Sequence, residues 1–254
     1  MSKPLFIIIF LAYLANPIKT QAIYQYGAHY TYNAMTAVPH QANGASVTLD
    51  ITKPKLSKDD YHVITELNVS SNMVNGSKIE VGYIVSNYFG MSPEPKLVVF
   101  NWIDGIPKCF NGCGYVQVSK NYRPGMNLTP NTKMHFKIIK EGTRWNVYVN
   151  NEVMGYYPMK LWNNKFTSIN YMSAYGEIAG SKSQATSEMG NGRYGTSKKA
   201  ARITDFMSIA SKKPHHFNFS VIGQYGDKSC QIKIINPSCK EKCTMAYGGR
   251  YTKQ

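Results

Sequence analysis

Short segments in which apolar and polar residues alternate recur along most of the chain. Clear examples are residues 45–52, 61–69 and 134–139, and an Asn150-Asn151 pair typical of a hairpin turn separates two more. A period of two is what a strand requires when one face packs on a core and the other does not. About ten such segments follow one another at intervals of about ten residues, without a competing amphipathic helix. The pattern predicts an all-β fold, a sandwich or barrel, in a single domain.

One predicted strand places a carboxylate among β-branched residues. In residues 78–85 (Lys-Ile-Glu-Val-Gly-Tyr-Ile-Val), alternation puts the odd-numbered positions on a face that should pack on the core, and Glu80 and Gly82 on the other. The glycine leaves room above the sheet for a ligand or another backbone. A carboxylate in such a strand is costly unless it is paired or neutral, and burial raises its pKa. Glu80 is therefore a candidate acid or base in catalysis.

A second carboxylate has a similar setting later in the chain. In another predicted strand, Tyr171, Ser173, Tyr175 and Glu177 share one face, which would form a polar and aromatic cleft wall. Two such carboxyls indicate a catalytic pair. The alternative is that both are structural and are satisfied by arginine or backbone donors. Glu66 ranks lower, because it lies on the polar face of its own predicted strand.

The N-terminus has the features of a secretion signal. Lys3 precedes an apolar run at residues 5–15 that is short for a bilayer span, and Thr20-Gln-Ala22 fits a small-residue cleavage site. We expect a signal peptide at 1–22 and a domain at 23–254 that is secreted outside the cell, or into the periplasm in a bacterium. The alternative is an uncleaved membrane anchor. After signal cleavage, no association with a membrane is expected.

Export permits disulfide bonds, and the five cysteines fall into two groups. Cys109 and Cys113 are close enough to bridge a tight loop. Cys230, Cys239 and Cys243 cluster near the C-terminus. We predict disulfides at Cys109 and Cys113 and at Cys230 and Cys243, with Cys239 as the alternative partner of Cys230. The spacing does not fit a zinc site, and neither a metal nor a cofactor is expected.

The net charge of +15 has two interpretations. It could indicate a nucleic acid or a membrane surface as a partner. The basic residues are scattered, however, with short clusters at 198–199 and 212–213, and no recognition helix or RNA-binding aromatic strand accompanies them. We therefore expect no specific nucleic-acid partner. Signatures of serine hydrolases and zinc peptidases are absent, and residues 190–195 match a dinucleotide motif without the strand–helix–strand context that it needs.

Several short motifs occur in the order typical of one known family. They are Tyr26-Gly-Ala28, Ile79-Glu-Val-Gly-Tyr83, Phe100-Asn-Trp-Ile-Asp-Gly105, Cys109-Phe-Asn-Gly-Cys113, Gly155-Tyr-Tyr-Pro158, Tyr175-Gly-Glu-Ile178, Met189-Gly-Asn-Gly192 and Tyr247-Gly-Gly249. Each alone is weak, but together, over about residues 26–250, the chain resembles the neprosin family of secreted glutamic peptidases. A cysteine-containing C-terminal hairpin at about residues 226–254 completes the predicted domain.

The resemblance implies a sandwich of two curved antiparallel sheets, as in glutamic peptidases and concanavalin-like jelly rolls, with the active site on a concave face. It implies that Glu80 and Glu177 are catalytic, one activating water and the other, protonated, donating to the oxyanion and the leaving amine. Tyr83, Trp102 and Tyr175 are candidates for a hydrophobic substrate subsite. The expected substrates are proteins or peptides, cut next to proline as is associated with the family, by a monomer that works best in acid.

One departure from the family pattern bears directly on this site. The family's G-G-E-V becomes Tyr175-Gly-Glu-Ile178, which adds a bulky ring two positions before Glu177 and on the same face. Two other functions therefore stay open. One is a non-catalytic secreted protein whose cleft Tyr175 closes, and the other is a carbohydrate-binding sandwich or a two-carboxylate glycosidase. Sequons that allow N-glycosylation occur at Asn68, Asn75, Asn127 and Asn218.

Overall fold

Strands account for nearly all regular structure in the part of the chain that the computed structural model describes. That part comprises residues 29–37, 42–86, 93–180, 185–210, 213–215, 230–235 and 243–249. The predicted signal peptide at 1–22, Asn218 and Cys239 lie outside it. Within it, no helix has the length and apolar character that crossing a membrane requires.

The strands are numbered in chain order. They are β1 (His29–Ala37), β2 (Gly44–Ile51), β3 (Asp60–Ser71), β4 (Ser77–Ser86), β5 (Lys96–Ile103), β6 (Ile106–Phe110), β7 (Val116–Gln117), β8 (Thr132–Glu141), β9 (Arg144–Val149), β10 (Glu152–Pro158), β11 (Tyr171–Gly180), β12 (Ala201–Ala210), β13 (Lys213–His215), β14 (Cys230–Ile234) and β15 (Cys243–Gly249). Two short 3₁₀ helices cover Asn72–Val74 and Met159–Trp162.

The strands form two antiparallel sheets. The six-stranded sheet has the order β1-β11-β3-β4-β5-β6. The nine-stranded sheet has the order β14-β15-β12-β2-β8-β9-β10-β7, with β13 paired to β12. Strand β11 therefore inserts between β1 and β3, which brings residues from distant parts of the chain side by side. The predicted antiparallel sandwich is confirmed.

The two sheets enclose one main apolar core. Its largest fully buried side chains include Trp145, Trp162 and Phe136, each of which stabilises the fold by about 1.5–3 kcal/mol through burial. The buried indole groups are hydrogen-bonded: Trp145 Nε1 donates to the Phe166 carbonyl at 2.9 Å. The odd-numbered positions of β4 are buried in this interior, as alternation predicted.

Of the two predicted disulfide bonds, the structure contains the first but not the second. Cys109 and Cys113 form a disulfide with a Cα–Cα distance of 5.8 Å, which confirms the first bridge. Cys230 lies opposite Gly249 in the β14–β15 ladder, six residues from Cys243. At about 3.3 Å per residue this is roughly 20 Å, far beyond the reach of a disulfide. The predicted Cys230–Cys243 bridge is therefore wrong, although Cys243 itself is disulfide-bonded.

The sequons differ in accessibility. Asn68 is buried in β3, and its amide donates to Ser173 Oγ at 3.1 Å, so it is not available to a glycan in the folded protein. Asn75 and Asn127 are exposed. The turn at Asn75 has a positive φ of 44°, which asparagine tolerates well.

Candidate active site

The outer face of the six-stranded sheet carries the predicted catalytic residues. Strand β3 lies between β4 and β11, so its residues determine which side chains of those two strands are neighbours. Asn68 faces Glu80 on one side and Ser173 on the other, and Glu66 faces Gly82 and Tyr175. Residues directly opposite each other in a ladder project to the same face. The prediction that Glu80 and Gly82 lie on the non-core face is confirmed.

Glu80 is almost completely buried on this face, with 7% of its surface exposed. Trp102 Nε1 donates to its Oε2 at 2.9 Å, and the Tyr175 hydroxyl lies 3.0 Å from its Oε1. Burial raises the pKa of the Glu80 carboxyl. The Lys78 charge and the hydrogen bonds from Trp102 and Tyr175 lower this pKa, and the Glu177 charge raises it. The carboxyl is therefore placed to exchange a proton.

Glu66 is a third carboxylate on this face and is the most deeply buried of the three, with 1% of its surface exposed. Its Oε2 lies 2.9 Å from the Tyr175 hydroxyl, and its Oε1 has no hydrogen-bond partner among the described residues. Burial and the charge of Glu80 raise the pKa of Glu66 well above its ordinary value. A neutral Glu66 is what these surroundings favour, because an ionised carboxylate with an unpaired oxygen is costly to bury.

Tyr175 is the residue that joins these two carboxyls. Its ring belongs to a small apolar cluster with Ile64, Ile84 and Val98, and Phe110 packs against the edge of this cluster. This packing fixes the ring, and its hydroxyl meets both Glu66 and Glu80. The bulky ring that the sequence places beside the candidate catalytic residues is therefore present. The hydrogen bonds described for the Tyr175 hydroxyl are to Glu66 and Glu80 and not to Glu177.

Glu177 has quite different surroundings. Its side chain keeps 17% of its surface exposed, and its Oε1 lies 3.2 Å from Nε2 of the nearly buried His62. In such a pair the imidazole can orient the carboxylate oxygen that it contacts. Among the described residues, no group of three or more His, Cys, Asp or Glu is arranged to hold a metal ion.

Glu80 and Glu177 share the face but are not neighbours. Glu80 on β4 faces Asn68 on β3, and Asn68 faces Ser173 on β11. Glu177 lies on β11 too, four residues beyond Ser173. On a regular sheet this places their backbones about 10 Å apart across the strands and about 13 Å apart along them. Glu177 is still close enough for its charge to raise the pKa of Glu80.

The three predicted substrate-binding residues do not share one surface. Trp102 is partly exposed beside Glu80, and Lys78 Nζ lies 4.5 Å from the centre of its ring. Tyr175 covers the buried carboxyls. Tyr83 lies on the opposite, core-facing side of β4, where it is 1% exposed and its hydroxyl pairs with Thr52 Oγ1 at 2.8 Å. A substrate on the Glu80 face cannot reach Tyr83, so this part of the predicted subsite is wrong.

Two glycines of the resemblance motifs have a structural explanation. A Cβ on Gly82 would lie 2.0 Å from the Thr65 carbonyl oxygen and 2.9 Å from Glu66 Cγ, so the predicted open space is filled by β3. A Cβ on Gly176 would lie 2.6 Å from the Tyr247 ring on the other sheet. Both glycines therefore permit close packing behind and beside the carboxyls.

Sequence reasoning missed Glu66, although a signal for it exists. The alternation of its segment predicts a half-buried strand with a solvent-facing polar side, whereas Glu66 is 1% exposed. The β3–β4 hairpin pairs Ser71 with Ser77, and counting from this closing pair places Glu66 opposite Gly82. Gly82 lies on the same strand as Glu80 and two residues away from it. Because Glu66 faces Gly82 across the ladder, the carboxyls of Glu66 and Glu80 must be close.

Comparisons with known proteins agree with this architecture. The family model described as Neprosin matches residues 59–250. No curated protein matches the chain.

Among solved structures, scytalido-glutamic peptidase with a transition state analog inhibitor has a TM-score of 0.52 at 8% identity, covering 85% of this chain and 98% of that one. This likeness supports the fold. Scytalido-glutamic peptidase with a peptide-based transition state analog has a TM-score of 0.49 at 5% identity, with the same coverage. SCP-B, described as a member of the eqolisin family of peptidases in complex with the tripeptide Ala-Ile-His, has a TM-score of 0.44 at 6% identity, again with this coverage.

Proposed function

The chain belongs to the neprosin family, and on this premise we propose that it is a secreted glutamic endopeptidase that uses Glu80 and Glu177. The observation that carries the proposal is the contrast between these two carboxyls on one sheet face. Glu80 is buried with a raised pKa, whereas Glu177 is accessible and paired with His62. Carboxyls whose surroundings differ in this way suit the separate tasks of acid and base.

Glu177 is proposed to be the general base. Its exposure allows a water molecule to reach the carboxylate, and His62 holds one oxygen at 3.2 Å. An ionised carboxylate in this position can take a proton from water as the water attacks the scissile carbonyl. His62 acts through Glu177 and is therefore a positioning residue.

Glu80 is proposed to be the general acid. A protonated carboxyl can donate to the developing oxyanion and afterwards to the leaving amine. Burial favours this protonated form, and the Trp102 indole holds the other oxygen in place. For Glu80 to reach a substrate, the Tyr175 hydroxyl must give up its contact with Oε1.

The wide spacing of the two carboxyls has a consequence for substrate binding. A peptide that lies across β3, between β4 and β11, would approach both residues, with the water on the Glu177 side. Acid pH would support this division of roles, because it supplies the proton that Glu80 must carry when it donates. Cleavage next to proline is part of the proposal and comes from the family alone.

The experiment compares Glu80→Gln and Glu177→Gln in hydrolysis of a peptide library rich in proline at about pH 3–6. Each variant should lower kcat/KM by at least about 100-fold, the usual range for a lost general acid or base. Glu94→Gln is the control, because Glu94 lies in a loop and pairs with Lys53 on the surface. Full activity in either test variant would remove that residue from the mechanism.

A non-catalytic peptide- or carbohydrate-binding sandwich is the second candidate. The observation that favours it is the contact of the Tyr175 hydroxyl with Glu80 Oε1, which a substrate would have to displace. Tyr175→Gly restores the glycine of the family motif. Cleavage by this folded variant but not by the wild type would support the non-catalytic interpretation, and cleavage by the wild type would exclude it.

A further inference from the structure

Glu66, Tyr175 and Glu80 meet in one buried hydrogen-bonded unit. The Tyr175 hydroxyl lies 2.9 Å from Glu66 Oε2 and 3.0 Å from Glu80 Oε1. We propose that these three residues form a proton relay, in which Glu66 stores the proton that Glu80 delivers to the substrate. The inference deepens the proposed function and rests on the role of Glu80 as the acid.

Counting protons supports a shared proton. A phenol carries a single hydrogen, so Tyr175 can donate fully to one carboxyl only. The second short contact is satisfied when that carboxyl is protonated and donates to the phenol oxygen. One of the two glutamates therefore carries a proton in the arrangement observed.

The resting position of this proton is Glu66. Its Oε1 has no partner among the described residues, and a neutral carbonyl oxygen tolerates this better than an ionised one. Glu80 receives a hydrogen bond from Trp102 and lies near the Lys78 charge, both of which favour its ionised form. The resting chain is thus the acid form of Glu66, the neutral phenol and the carboxylate of Glu80.

The transfer is a balanced shift of two protons. The proton on Glu66 Oε2 passes to the Tyr175 oxygen while the hydroxyl proton of Tyr175 passes to Glu80 Oε1. Tyr175 stays a neutral phenol, Glu66 becomes a carboxylate and Glu80 becomes an acid. When Glu80 has given its proton to the leaving amine, a proton taken up from solvent restores the resting state.

Other groups set the direction of this shift. The titratable and charged side chains on the same face are His62 on β3, Lys78 on β4, Lys96 on β5, and Tyr171 and Glu177 on β11. Tyr157 approaches from the core side, where burial and the charges of Tyr115, Glu80 and Glu66 raise its pKa. Lys78 is the cation that lowers the pKa of Glu80, and its charge favours placing the proton on Glu66 rather than on Glu80.

Glu66→Gln separates a relay from a structural role. Glutamine has the shape of a protonated glutamate and can still donate to the Tyr175 oxygen, but it cannot give up a proton. The fold should therefore persist while the relay is lost. Tyr175→Phe breaks the link between the carboxyls and keeps the ring in its apolar cluster. Glu94→Gln again serves as the control.

The direct measurement is a pH titration of the Glu66 and Glu80 carboxyl carbons by NMR, with glutamate labelled with carbon-13. In the wild type, both signals should change together in two common steps, as expected of coupled groups. Glu66→Gln should leave a single step, and Tyr175→Phe should weaken the coupling to what the charges of the two carboxyls alone produce. Independent titration in the wild type would overturn the relay.

The pH dependence of kcat/KM tests the use of the stored proton. In Glu66→Gln, Glu80 must be protonated directly, so the alkaline limb should move to lower pH by at least about one unit. The loss of activity should be larger at the alkaline end than at the acid end. An unshifted limb would overturn the catalytic use of Glu66. If the wild type cleaves no peptide, the proposed function fails, and the NMR titration still decides whether the proton is shared.

Discussion

Two ends of one sheet face hold carboxyl groups in opposite conditions. At one end, Glu80 and Glu66 are buried around the Tyr175 hydroxyl, and burial raises the pKa of both. At the other end, Glu177 is partly exposed and pairs with His62. Burial thus favours the neutral form of Glu66 at one end, whereas at the other end Glu177 keeps some contact with solvent and has a histidine partner.

In the proposed mechanism, this difference gives the two ends of the face their separate roles as acid and base. An apolar cluster packs around Tyr175 at the first site, whereas the side chain of Glu177 keeps 17% of its surface exposed. The proposed role of each carboxyl depends on the packing of neighbouring strands. The predictions below test each end of this contrast.

Removing the ring at the buried end should have the largest effect on stability. Tyr175→Ala removes the aromatic member of an apolar cluster and leaves two buried carboxyls without their shared partner. We expect a loss of about 3–5 kcal/mol in the free energy of unfolding, measured in urea. Met73→Ala is the control, because Met73 is 74% exposed, and it should have almost no effect. A loss below about 1 kcal/mol for Tyr175→Ala would show that the cluster is not a stabilising unit.

The buried end should also make the protein more stable in acid than near neutral pH. Glu66 has a raised pKa in the folded state, so above its ordinary value of 4.5 the folded chain binds more protons than the unfolded chain. Stability must then fall as the pH rises, by up to about 1.4 kcal/mol per pH unit for one proton.

Glu66→Gln should flatten this decline, because glutamine does not titrate. The measurement is the free energy of unfolding of both proteins from about pH 5 to pH 8. Parallel curves for the wild type and the variant would contradict the expectation that Glu66 is neutral when buried.

The accessible end should respond to His62 with a smaller effect. His62→Ala removes the group that orients Glu177, and we expect kcat/KM to fall about 10-fold, with little change in KM. His62→Gln keeps a donor near Glu177 Oε1 and should recover part of the loss. Equal activities of the alanine variant and the wild type would mean that Glu177 does not need this orientation.

The smallest expected effect is a shift in pH dependence caused by Lys78. Lys78→Gln removes a positive charge that lowers the pKa of Glu80, so this pKa should rise. The alkaline limb of kcat/KM should move to higher pH by less than about one unit, the opposite direction to Glu66→Gln. Lys96→Gln, at the far end of the same face, should leave the profile unchanged. A shift to lower pH in Lys78→Gln would contradict the assignment of Glu80 as the acid.

Local pattern predicted the strands and their faces well. The segment 45–52 became β2 at Gly44–Ile51, and 61–69 lies within β3. Asn150 and Asn151 form the predicted turn, with positive φ values of 47° and 68°. These features depend on alternation and on turn residues, both of which are properties of neighbouring positions in the chain.

The errors arose where distant segments meet. The resemblance makes Tyr83 a candidate for a substrate subsite, whereas alternation predicts the core face, where the structure has it. Glu66 was ranked low because its polar side was taken to face solvent, whereas β4 and β11 cover it. The Cys230–Cys243 pair failed because the register of β14 and β15 separates the two sulfurs.

The sequence by itself determined that Glu80 and Glu177 point away from the core, because the side-chain period of a strand is two. Only the tertiary structure decided that Glu80 shares a hydroxyl with Glu66 and that Glu177 pairs with His62. Those contacts depend on β11 lying beside β3, about a hundred residues away along the chain, as the register of the ladder requires. A local pattern does not encode the order or the register of such strands, since packing of the whole sheet selects them.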